Sequence, residues 1–128
     1  MSDFARLLKE LDALEAVQAE LASIATRTDD ARKHDLIKLR RKLAVQIGEV
    51  GTVADTIFAN VDGALKQAYR DRFSEMRSAA ARHQANWPAV RLGEDIEQFQ
   101  VSARGVRQAN KDFIAWTRGA IEQLQKNR

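Results

Sequence analysis

The fold is decided by residues 92–124, which have the sequence LGEDIEQFQVSARGVRQANKDFIAWTRGAIEQL. A mostly apolar stripe recurs there at alternating intervals of four and three residues: Leu92, Ile96, Phe99, Ala103, Val106, Asn110, Phe113, Thr117, Ala120 and Leu124. This spacing puts the stripe on one face of an α-helix and is typical of coiled-coil-like packing inside a bundle. Polar Asn110 lies on the stripe, where it either sets the register of packing or meets water at the edge of the bundle. We therefore predict an all-α fold, an antiparallel helical bundle.

Two further helical segments precede this one. The first runs from Asp3 to about Thr26, with an apolar stripe at helical spacing in which Gln18 is a polar position. The second runs from about residue 29 to residue 85. Short breaks separate the segments, at 26–30, where we expect Thr28 to cap the second helix, and at 84–88, where Pro88 cannot continue a helix.

The number of helices depends on the second segment, which supports two alternatives. Its apolar residues keep helical spacing without a break, which favours one very long helix and a bundle of three helices. However, Gly48, Gly51 and Gly63 each disfavour a helix interior, and residues 60–63 resemble a helix end followed by a new cap. A turn there gives four helices of ordinary length.

The composition predicts one helical-bundle domain spanning residues 1–128. The chain has no cysteine, so no disulfide or thiolate site is possible. The N-terminal residues carry charges too early for a secretory signal, and no apolar run is long enough to span a bilayer. We expect a cytoplasmic protein without a membrane span.

No motif for catalysis or cofactor binding is present in the sequence. The two histidines, His34 and His83, lack the neighbouring ligands that a metal site needs, and neither follows a glutamate at the spacing used in di-iron bundles. There is no nucleophile elbow and no glycine-rich phosphate loop. We expect no enzyme activity, no cofactor and no metal.

Charge is distributed unevenly along the chain. Residues 27–42 carry seven bases against three acids, whereas residues 1–26 carry five acids against two bases. The basic stretch predicts a candidate anion-binding surface made of Arg32, Lys33, Lys38, Arg40, Arg41 and Lys42. Alternatively, the acidic first helix lies against the basic second helix and the two charges cancel. The modest net charge of +3 argues against nucleic acid as a partner without excluding it.

The preferred functional hypothesis is a non-enzymatic helical protein-interaction module, such as an adaptor, an assembly subunit or a chaperone-like protein. Such a module would bind a protein partner through its helix faces or self-associate, for instance as a homodimer. The candidate interaction surface comprises Trp116, Ile114, Ile121 and Trp87, although aromatic side chains more often fill cores. The alternative function is nucleic-acid or anionic-surface binding through residues 27–42.

Overall fold

Four α-helices make up the chain in the computed structural model, which describes residues 2–127. They are α1 (Asp3–Ala25), α2 (Arg32–Phe58), α3 (Gly63–Asn86) and α4 (Ile96–Lys126). A single turn of 3-10 helix, Ala89–Arg91, lies between α3 and α4. The all-α bundle is confirmed, and of the two alternatives for the helix count the structure has four.

Side-chain caps explain where three of the helices begin. The hydroxyl of Ser2 accepts a hydrogen bond from the backbone of Ala5 at the start of α1. The carboxylate of Asp62 accepts one from Leu65 at 3.0 Å and starts α3. Asp95 starts α4 in the left-handed region, with φ at 40°, and accepts from Gln98. A cap therefore decides the break near residue 62, while Gly48 and Gly51 lie inside α2.

Two expectations about the connections are wrong. Thr28 does not cap α2, because that helix begins at Arg32 and the residue at its N-cap position, Ala31, makes no side-chain capping bond. Instead, the carboxylate of Asp29 accepts from the backbone of Ala31 at 3.0 Å, which tightens the turn ahead of the helix. Leu92 does not lie on α4: it is completely buried in the connection before that helix.

Consecutive helices pack antiparallel to each other, and α4 packs antiparallel against α1 to close the four-helix arrangement. The pairs that show this are Glu20 with Lys42, Tyr69 with Phe58, Phe99 with His83, and Arg118 with Asp12. The side between α2 and α3 is the least closely packed of the four. No helix within residues 2–127 combines the length and apolar character needed to cross a membrane.

The apolar stripes meet in two buried clusters. The larger one contains most of the core of α1, α2 and α4, together with Tyr69, Met76 and Ala80 of α3. The smaller one comprises Ala25, Leu36, Trp87, Leu92 and Phe99, and it lies where α1 ends and α4 begins. The α4 stripe contributes to both clusters, as its regular spacing predicts.

Two polar residues of the α4 stripe are buried in this core. Asn110 and Thr117 are both 0% exposed. The amide of Asn110 donates to the backbone of Val106 at 3.0 Å, but its carbonyl oxygen has no partner within the described residues. The hydroxyl of Thr117 likewise has none. Of the two positions expected for Asn110, the structure shows the buried one.

Replacing Thr117 by valine should stabilise the protein. The substitution keeps the shape and removes a buried hydroxyl that lacks a partner, so we expect the free energy of unfolding to rise by about 1 kcal/mol. Thr56→Val is the matched control, because the exposed hydroxyl of Thr56 donates to the backbone of Thr52 at 3.1 Å. Urea denaturation measures both variants. A loss of stability in Thr117→Val would show that the hydroxyl has a partner.

The two glycines inside α2 should respond differently to alanine. A β-carbon at Gly48 meets no atom within 4 Å, so Gly48→Ala should stabilise the protein by up to about 1 kcal/mol through helix propensity. A β-carbon at Gly51 would lie 2.9 Å from Cζ of Phe73, so Phe73 must move and Gly51→Ala should be less stable than Gly48→Ala by roughly 1 kcal/mol. Thermal and urea unfolding compare the two, and equal stability would contradict the close contact.

Candidate functional site

Three of the four residues predicted to form an interaction surface are buried inside this chain. Ile114 and Ile121 belong to the larger cluster and Trp87 belongs to the smaller one, where its ring meets Phe99 edge to face. Only Trp116 is partly exposed. The structure thus places these side chains in the core, and they leave little surface to offer a partner.

The predicted anion-binding residues do not form one continuous surface. Lys33, Lys38 and Arg41 are exposed and form no ion pair with any described residue. Lys42 is exposed but pairs with Glu20 of α1 at 3.1 Å. The remaining two, Arg32 and Arg40, turn inward.

Arg32 is 4% exposed and ties together the connections at one end of the bundle. Its guanidinium donates to the backbone oxygens of Leu92 and Ala25, and it lies over the ring of Phe99 at 5.0 Å from the centroid. Burial lowers its pKa from the ordinary value. These contacts give Arg32 a structural role that a run of bases in the sequence does not reveal.

The expected cancellation of charge between α1 and α2 is found at the Glu20–Lys42 pair, but α1 also faces α4. There, Arg118 donates to Asp12 at 2.7 Å and to Glu15 at 3.2 Å. The acidic first helix is therefore neutralised from two sides.

A groove of about 430 Å³ opens between α2 and α3, on the least closely packed side of the bundle. Its floor is mostly apolar and its α2 wall is made of small residues. The lining residues are Leu43, Ala44, Ile47, Gly48, Gly51, Thr52, Asp55, Phe73, Arg77, Ala80, Ala81 and Gln84. Small residues at this spacing leave room for another helix to lie close to α2.

Aromatic contacts close the groove at its far end. Phe73 sits against Gly51, Tyr69 stacks on Phe58 at 4.4 Å between ring centroids, and the Tyr69 hydroxyl donates to Asp55 at 2.8 Å. Burial, together with that carboxylate, raises the pKa of Tyr69 beyond its usual range. α2 and α3 are thus held together between Phe58 and Gly51, and the groove continues from there towards Leu43 and Gln84.

A separate cavity of about 40 Å³ lies where all four helices meet, between the two apolar clusters. Each helix contributes to its lining, which comprises Gln18, Leu21, Ala25, Leu36, Arg40, Leu43, Ala80, His83, Gln84, Phe99, Ala103, Val106 and Arg107. Two of its nitrogens are buried without a hydrogen-bond partner among residues 2–127, namely Nε2 of Gln18 and Nη2 of Arg40. Burial lowers the pKa of Arg40.

Of the two unpartnered donors in this cavity, only one gives a signal in the sequence. Gln18 interrupts the apolar stripe of α1 between Leu14 and Leu21, which signals a buried polar group. Arg40 gives no such signal, because its neighbours on α2 are also basic. Only the packing of α2 against α1 and α3 distinguishes it from exposed Arg41.

His83 lies on the wall of the cavity as a neutral imidazole. Its Nδ1 is 2.6 Å from the hydroxyl of Ser102, and its ring packs on Phe99. Burial and the nearby Arg40 guanidinium lower the pKa of His83 to about 4. His34, by contrast, is exposed. Within residues 2–127, no three His, Asp or Glu side chains come close enough together to hold a metal ion.

Protonation of His83 should couple stability to pH. Its folded pKa of about 4 lies below the ordinary 6.5, so the unfolded chain takes up the proton first as pH falls. Stability should be complete above pH 6.5 and should decrease between about pH 6.5 and pH 4, by about 1 kcal/mol at pH 5 after allowance for solvent screening.

Urea denaturation at pH 7 and pH 5 measures this dependence in the wild type and in two matched variants. His83→Gln should reduce the difference between the two pH values, because it removes the group that titrates. His34→Gln removes an exposed histidine and should leave most of the difference in place. The opposite order of the two variants would contradict the assignment to His83.

Comparisons with protein-family models, with curated proteins and with solved structures find no match to this chain.

Proposed function

We propose that this protein is a non-enzymatic helical interaction module, an adaptor, assembly subunit or chaperone-like protein, that accepts an amphipathic helix of a partner protein in the α2–α3 groove. The observation that carries the proposal is the groove itself. The α2–α3 side is the least closely packed of the four, and it exposes a mostly apolar floor beside an α2 wall of small residues. An amphipathic helix laid into such a groove would bury its own apolar face.

Charge favours an acidic partner over a second copy of this chain. Together α2 and α3 carry eleven lysines and arginines against five carboxylates, a net charge of +6. Arg77 lies on the groove wall with its guanidinium over the ring of Phe73, and it forms no ion pair with a described residue. Two copies that met through α2 and α3 would bring like net charges together, whereas glutamates on the polar face of a partner helix would be attracted.

The sequence also led to expectations about location, enzyme activity and oligomeric state. A cytoplasmic location and the lack of enzyme activity both stay predictions, and so does self-association as a homodimer. Nucleic-acid binding through residues 27–42 gains no support from the dispersed positions of those bases. The proposal rests on the shape and charge of one side of the bundle.

A labelled amphipathic peptide with glutamates on its polar face should bind with a dissociation constant in the micromolar range, measured by fluorescence anisotropy. Gly48→Leu places a side chain inside the groove and should weaken binding at least tenfold, a cost of about 1.4 kcal/mol. The matched control is Gly105→Leu, since Gly105 lines the α3–α4 side and a β-carbon there also meets no atom within 4 Å.

Three outcomes would contradict the proposal. The first is failure of the acidic peptide to bind, and the second is equal weakening by the two leucine variants. The third is a stable dimer in sedimentation experiments that dissociates in Gly48→Leu, because the groove would then be occupied by a second copy. A version of the peptide with lysine in place of glutamate should bind more weakly, which tests the charge argument separately.

A further inference from the structure

We propose that the cavity between the two apolar clusters is a binding site for a small monocarboxylate of about the size of acetate or propionate, with its oxygens held by Arg40 and Gln18. This site lies inside the bundle, and its donors, charge and walls are present whether or not a partner helix occupies the α2–α3 groove. Four observations carry it: unpartnered donors, uncompensated positive charge, apolar walls and size.

The donors come from two different helices. Nη2 of Arg40 on α2 and Nε2 of Gln18 on α1 are both buried, and neither finds an acceptor within the part of the chain that the structure describes. Gln18 is only 7% exposed. A buried N–H without an acceptor is costly, and a charged one more so, because water no longer solvates it. An acceptor bound in the cavity would remove that cost at both positions.

The positive charge of the cavity has no counter-charge in its lining. Arg40 and Arg107 both line it, neither forms an ion pair among residues 2–127, and no aspartate or glutamate belongs to the lining. His83, the other titratable group there, is held neutral and adds no further positive charge. A buried charge without a partner destabilises a fold unless something balances it. An anion would supply the missing partner.

The walls and the volume define the kind of anion. Apart from its polar groups the lining is aliphatic or aromatic, with Leu36, Leu43, Phe99 and Val106 among its members. The volume of about 40 Å³ corresponds to about three water-sized groups. A carboxylate with a short alkyl group matches both, since its oxygens meet the donors and its methyl or ethyl group meets the apolar wall. Phosphate and sulfate carry further charged oxygens and no alkyl group, so they would place oxygens against the aliphatic and aromatic part of the lining.

The test replaces sodium chloride by sodium acetate or propionate at constant ionic strength and follows two-dimensional NMR spectra and the melting temperature. We expect a saturable response localised to residues of the cavity, with a rise in the melting temperature as acetate binds the folded state. Saturating acetate should also raise the pKa of His83, measured from its ring protons, because the bound negative charge stabilises the imidazolium. Sodium phosphate should not produce the localised response.

Matched variants separate the cavity from general surface charge. Arg40→Met removes the buried guanidinium and should weaken acetate binding at least tenfold, whereas Arg41→Met removes a neighbouring exposed guanidinium and should leave the affinity within about twofold of the wild type. Should Arg40→Met fail to fold, Gln18→Leu, which keeps the net charge and removes the other donor, should weaken binding at least threefold.

The proposal is overturned by any of three results. One is the absence of a saturable response to acetate or propionate in the wild type, which would leave water as the occupant. Another is equal weakening by Arg40→Met and Arg41→Met, which would place the anion on the outer surface of α2. The third is a response to phosphate as strong as that to acetate, which would exclude selection of a monocarboxylate.

Discussion

The apolar stripe of α4 has to be covered along its whole length, and the arrangement of the other helices follows from this constraint. Val106, Phe113 and Ala120 lie in the larger cluster with residues of all three other helices, while Phe99 anchors the smaller one. The stripe is long enough to contribute residues to both clusters, so α4 fixes the two ends of the bundle relative to each other. The cost is that Asn110, which belongs to the stripe, is buried with an unpartnered carbonyl oxygen.

Much of the fold could be predicted because burial imposes a period on the sequence. The helices, their antiparallel order and the break before Pro88 follow from apolar spacing and from residues that stop a helix. The helix count was harder, since glycine has opposite meanings in different places. Gly51 accommodates the ring of Phe73 within a continuous α2, whereas the break near Gly63 is decided by the cap that Asp62 provides. Helix propensity alone does not distinguish a glycine inside a continuous helix from a glycine at a break between helices.

The candidate sites were less predictable, because the direction in which a charged side chain points is a property of the packing. Arg32 and Arg40 belong to the same run of bases as Lys38 and Arg41, yet only the first two turn inward. A long basic side chain can reach either water or a carbonyl from nearly the same backbone position. Gln18 carries a clearer signal, since a polar residue on a stripe of leucines has few exposed alternatives. The groove required the structure, because it depends on how closely α2 and α3 pack.

Leu43, Ala80 and Gln84 belong to both the groove and the cavity, so a single layer of side chains separates the two proposed sites. A partner helix would contact the outer surface of this layer, and a bound anion would contact its inner surface. Each would therefore favour particular rotamers of the same side chains. Linkage then makes the effect mutual: by whatever factor the anion changes the affinity for the helix, the helix changes the affinity for the anion. Through this shared wall, the bound carboxylate would act as an allosteric effector of partner-helix binding.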